Sequence, residues 1–193
     1  MNHTIYFLVL AVSLIAIILL QLRYSIISDS STASLKPYSF ARVQLVWWTF
    51  IILSSFVSIV LASGQIPTFD NSTLILLGIG SLTTASARII DISDKQNPTS
   101  VGVASVNQNS QGFLLDILSD NNGVSIHRLQ AFVFNLVFGA WFIYKCYKAI
   151  PHATTAASSD TINSLIPVIT NNNLILLGLS AGTYVALKSA ENK

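Results

Sequence analysis

Apolar runs and short polar connections alternate along the whole chain, and the runs are longer than soluble helices or strands require. Five of them approach the span of a bilayer, with charge confined to their ends: Ile5 to Leu22, Val43 to Ala62, Leu74 to Ile90, Leu129 to Tyr147 and Leu174 to Leu187. Crossing about 30 Å of hydrocarbon takes about 20 helical residues. Backbone groups in lipid must find partners within the segment, so such runs predict helices. The third and fifth are short, and the fifth is uncharged for only 14 residues after Asn173. The expected fold is an all-α polytopic membrane protein with five transmembrane helices.

The pattern is also doubled. Ser39-Phe40-Ala41-Arg42-Val43-Gln44 returns 86 positions later as Ser125-Ile126-His127-Arg128-Leu129-Gln130, with Ser, Arg and Gln unchanged. Ile66-Pro67 through Arg88 returns 100 positions later as Ile166-Pro167 through Lys188, with nine identities in 23 positions. Two apolar helices share Leu and Ile by chance, but not a Pro, an Asn and a helix-entry motif as well, so an internal duplication is expected. Helices 2 and 3 then form one hairpin and helices 4 and 5 a second, parallel one, the two related by an axis along the membrane normal. The organisation is an N-terminal transmembrane helix (1–22), a cytoplasmic linker (23–38), hairpin repeat 1 (39–90), a cytoplasmic loop with a short amphipathic helix (91–124) and hairpin repeat 2 (125–193).

Basic residues orient this arrangement. Arg23, Lys36, Arg42, Arg88, Lys95, Arg128, Lys188 and Lys193 fall on one side, and only Lys145 and Lys148 on the other. The positive-inside rule places the N-terminus outside and the C-terminus in the cytoplasm. The protein is expected to be integral to the membrane, the plasma or inner membrane in a bacterium. Met1 to Thr4 holds no Lys or Arg and the run that follows is long for a signal core, so the first run reads as a retained helix.

Composition then narrows the chemistry. The chain is 52% hydrophobic and 9% charged, against about 25% charged in soluble domains. A net charge of +2, with basic residues at helix ends, gives no nucleic-acid footprint. One cysteine, Cys146, excludes an intramolecular disulfide, and His3, His127 and His152 fall on different sides of the membrane. No nucleophile elbow, phosphate loop or metal-ligand cluster is present, so neither an enzyme nor a metal or cofactor site is expected.

The candidate functional residues are polar or small residues at membrane positions. Ser39 and Ser125 sit where a hydroxyl caps a helix, and Asn71 to Thr73 and Asn171 to Asn173 could cap the second helix of each hairpin. Arg42, Gln44, Arg128 and Gln130 could frame a polar cytoplasmic mouth, or anchor the helices at the headgroups. Asn135, and Thr49 at its position in the first copy, with Thr83 and Thr183, could join helices or line a path. Gly78, Gly178 and Gly182 mark close helix packing, the last two at GxxxG spacing. Trp47 and Trp48 read as aromatic-belt residues. Asp94 to Gln111 should be a flexible linker, and after it Phe113, Leu114, Ile117 and Leu118 share a helical face that lipid or a cytoplasmic protein could cover. Active transport lacks a titratable group in mid-span. Two roles remain: a membrane interaction, sensing or scaffold protein that presents its cytoplasmic loops to a partner, or a passive pore lined by Ser, Thr and Asn. Five helices enclose little space alone, so both imply a homo-oligomer.

Overall fold

A computed structural model of the chain describes residues 2–29, 33–96, 109–120 and 123–191. Helices account for most of it. They are α1 (Asn2–Tyr24), α2 (Phe40–Ser63), α3 (Asn71–Gln96), α4 (Phe113–Leu118), α5 (Ile126–Ala149), α6 (Ser159–Asn163) and α7 (Asn171–Glu191). A two-stranded antiparallel ribbon, β1 (Ser119–Asp120) and β2 (Gly123–Val124), separates α4 from α5.

Among the described residues, four helical segments could cross a membrane by length and composition: Asn2–Tyr24, Phe40–Ser63, Asn71–Ser93 and Ile126–His152. The fifth expected span is helical too, over Asn171–Glu191, but its Asn-rich entry and charged exit keep it out of that group. α3 runs on past Ile90 to Gln96. Asp94 to Gln96, at the start of the expected Asp94 to Gln111 linker, are therefore helical, and 97–108 lie outside the described residues.

Local chemistry sets the helix ends. α2 stops at Gly64, whose φ of 69° lets its amide reach back to Val60 O at 2.8 Å, a conformation other residues adopt at a cost. At the start of α3 the cap is Asp70, one residue before the expected Asn71, because its carboxylate accepts from the Ser72 amide at 2.8 Å. The Ser39 and Ser125 side chains make no capping bond. Their backbones do the work: each N–H donates to a carbonyl of the preceding connection, Ile27 O and Leu118 O, both at 2.9 Å.

Four helices pack in ring order α2, α3, α7, α5, and α1 lies against α2. The main core contains Tyr6 from α1, Trp48, Ile51, Ile52 and Ile59 from α2, Leu76 from α3, Phe142 from α5 and Leu177 from α7. A second cluster of Phe40, Ala41, Ala87, Ile117, Ala131 and Tyr184 closes the end carrying Arg42 and Arg128, called here the basic end. At the far end Asn2 Nδ2 donates to Ala153 O at 2.9 Å and Gln65 Nε2 to Ala157 O at 2.9 Å. The Ile169 amide donates to Ser72 Oγ at 3.2 Å, linking the second hairpin's turn to the first turn of α3.

Candidate functional site

At the basic end, both arginines of the repeated motif reach backward in the same way. Arg42 Nη1 donates to Ser28 O at 2.7 Å, and Ser28 pairs with Tyr38 in an isolated antiparallel bridge. Arg128 Nη1 donates to Ser119 O at 2.6 Å, and Ser119 pairs with Val124 in the ribbon. Tyr38 and Val124 each stand four residues before their arginine, so the two clasps share one register. The guanidinium of Arg128 also lies 5.3 Å from the Tyr184 ring centroid. The motif's glutamines diverge, Gln44 being buried and Gln130 exposed.

Between the clasps lies an ion group that sequence reading missed. Lys188 Nζ sits 2.7 Å from Asp91 Oδ1 and 3.9 Å from Asp29 Oδ2. The lysine and Asp91 side chains are only 11% and 9% exposed, so α7, α3 and the connection after α1 are tied by charge in a poorly hydrated place. Lys188 was legible as a helix-end cation opposite Arg88, but Arg88 is exposed. Only the fold brings Asp29 and Asp91 to it.

The same end carries a built apolar surface. Asp116 of α4 accepts from the Tyr38 amide at 3.1 Å, the Gln111 amide at 2.8 Å and Ser110 Oγ at 2.5 Å. The Ser110 amide donates to Leu35 O at 2.9 Å, so the stretches 33–38 and 109–118 are joined. The expected single face of α4 is divided. Ile117 is fully buried in the basic-end cluster and Leu118 packs against it, whereas Phe113 and Leu114, with Leu115, stay 42–56% exposed.

Mid-bundle polar residues hold helices together. Asn135 is buried: its Nδ2 donates to Ala131 O at 2.7 Å, and its Oδ1 accepts from Trp48 Nε1 at 2.6 Å. Its carbonyl accepts from Trp47 Nε1 at 3.0 Å. Trp47 lies against Gly139, where a Cβ would overlap the indole. These tryptophans are inward joints between α2 and α5 and not belt residues, because a partner amide was waiting one helix away. Ser55, Ser58 and Thr83 donate to carbonyls of their own helix, and the Ser54 hydroxyl is buried without a partner among the described residues. Thr49 and Thr183 are exposed. Of the marked glycines, Gly178 faces Ile79, whose Cδ1 lies 3.6 Å from an ideal Cβ position, while Cβ atoms at Gly78 and Gly182 would meet nothing within 4 Å.

Other chemistry is sparse. Cys146 is buried and free. Among the described residues no three of His, Cys, Asp and Glu converge to form a metal-binding group. A surface groove of about 270 Å³ between α1 and α5 is lined by Tyr6, Phe7, Ala140, Ile143, Tyr144 and Tyr147, almost wholly apolar. Comparison of the chain with models of known families, with curated proteins and with solved structures finds no match.

Proposed function

We propose that the chain is an integral membrane scaffold that self-associates and presents an apolar surface at its cytoplasmic end to a protein partner. The observation that carries this reading is the division of α4. Ile117 anchors the helix while the Asp116 clamp fixes its connection, and Phe113, Leu114 and Leu115 are held outward; Leu35, whose carbonyl accepts from the Ser110 amide, is exposed too. A helix of six residues has no stability of its own, so anchoring it and leaving its other side bare favours presentation over simple loop closure.

The membrane arrangement belongs to the same proposal. The basic end faces the cytoplasm by the distribution of Lys and Arg. α7 is the fifth span: it packs along both α3 and α5 and buries Leu174, Leu177, Ala181 and Tyr184 among helices that are long enough to cross. Duplication is supported by the matching arginine clasps and by the far-end turns. There the Thr73 and Leu74 amides donate to Asp70 O, and 100 positions later the Asn173 and Leu174 amides donate to Thr170 O. The ring order favours hairpins laid side by side, α5 next to α2 and α7 next to α3. An axis along the membrane normal would instead exchange helices standing diagonally across the ring.

The pore reading has weaker support, since Asn135 makes its bonds inside the bundle and Thr49 and Thr183 lie outside it. The test is Leu114→Asp with Leu115→Asp. Both side chains are exposed, so insertion and melting should be unchanged while co-purification of the cytoplasmic partner falls at least tenfold. Undiminished co-purification would contradict the proposal.

A further inference from the structure

Where the two hairpins meet, two side chains of the first project onto two glycines of the second. Trp47 fills the space over Gly139, and Ile79 approaches Gly178. Ile51 and Thr83 are buried on the same first-hairpin helices. The duplication offsets of 86 and 100 positions carry these four residues onto Val133, Val137, Leu179 and Thr183. In the second hairpin all four are exposed, Val133 at 44%, Val137 at 58% and Leu179 at 65%.

The correspondence works in the other direction too. Asn135, Gly139 and Gly178 lie on the receiving side of the second hairpin and Ala181 is buried on the same helix as Gly178; the residues at the matching positions of the first are Thr49, Leu53, Gly78 and Ser81. Thr49, Leu53 and Ser81 are exposed with α1 in place, and the space over Gly78 is open. One molecule therefore shows, on its two outer sides, the two halves of the interface it uses within itself.

The sizes match as well. Within the chain a large residue meets a glycine at Trp47 and Gly139, and Ile79 meets Gly178. Between chains the corresponding pairs are Val133 with Leu53 and Leu179 with Gly78: the smaller projection faces the larger receiver in the first pair, and an aliphatic side chain again faces a glycine in the second. In lipid, where apolar burial gives little net drive, close backbone approach at Gly favours a helix over acyl chains as the occupant.

We propose that a second copy of this chain docks on the first head to tail, its α5 and α7 seating Val133 and Leu179 against Leu53 and Gly78 of its neighbour. The contact is heterologous, so it propagates into a ring or a row and does not close as a face-to-face dimer. This inference rests on the duplication and self-association proposed above, but not on the exposed surface of α4.

The test uses two differently tagged full-length copies in a Cys146→Ala background, one with Gly78→Cys and the other with Leu179→Cys, co-expressed in membranes and treated with a short bifunctional thiol reagent. A mixed-tag product at dimer mass is expected, with none when either variant is alone. A product from Leu179→Cys paired with itself would overturn the inference, as would no mixed product. Should Gly78→Cys fail to insert, Leu53→Cys with Val133→Cys tests the same contact. A negative result here, with partner capture still sensitive to Leu114→Asp and Leu115→Asp, would remove the head-to-tail contact and leave the scaffold reading standing.

Discussion

The two hairpins share the Ser-x-x-Arg-x-Gln and Ile-Pro segments but have different surroundings, and residues at matching positions in them have different fates. Thr83 is buried and Thr183 exposed; Gln44 is buried and Gln130 exposed; Arg88 is exposed while Lys188 is enclosed by two aspartates. Asn135 joins two tryptophans, and Thr49, 86 positions before it, is exposed. Residue type does not decide these outcomes. The neighbour does: the first hairpin has the second on one side, and among the described residues nothing covers the corresponding side of the second hairpin.

The largest contrast is expected at the ends of α3 and α7. Lys188→Met leaves Asp91 and Asp29 facing each other without their cation, and losing one partner of a buried ion pair costs about 3–5 kcal/mol. Arg88→Met, at the matching exposed position, should stay within about 0.5 kcal/mol. Thermal melting of the purified variants in detergent measures both. Equal losses would mean that the ion group does not set the two hairpins apart.

A smaller contrast is expected between Asn135→Leu and Thr49→Leu. The first strands the buried Trp48 indole N–H, a loss of about 1–3 kcal/mol. Thr49→Leu removes no inward bond and should leave the melting point unchanged. If Asn135→Leu melts like the parent, the indole has another acceptor and Asn135 is not the joint between α2 and α5.

The helical, membrane-length character of the chain was legible in the sequence because long apolar runs are strong, local signals. The helix of each expected span is present, and the repeated Arg and Ser recur in matched backbone bonds. What the sequence did not show depends on contacts between distant segments. Trp47 and Trp48 resemble belt residues by position along α2, and only the approach of α5 turns them inward. The apolar pattern of Phe113, Leu114, Ile117 and Leu118 fits one helical face, but six helical residues are too few to keep it on one side once Ile117 enters the core. Asp29 lies in a connection with no periodic signal at all, so its approach to Lys188 could not be foreseen.

In the structure α5 packs beside α2 and α7 beside α3, so that the two hairpins stand side by side within one chain. This arrangement is tested most directly by Ile79→Cys with Gly178→Cys in one Cys146→Ala chain, treated in membranes with a short bifunctional thiol reagent. The approach of Ile79 Cδ1 to within 3.6 Å of the Cβ position at Gly178 predicts a crosslink within the chain, detected as a peptide joining α3 to α7 at monomer mass. A crosslink found only between chains, or none in inserted protein, would contradict it.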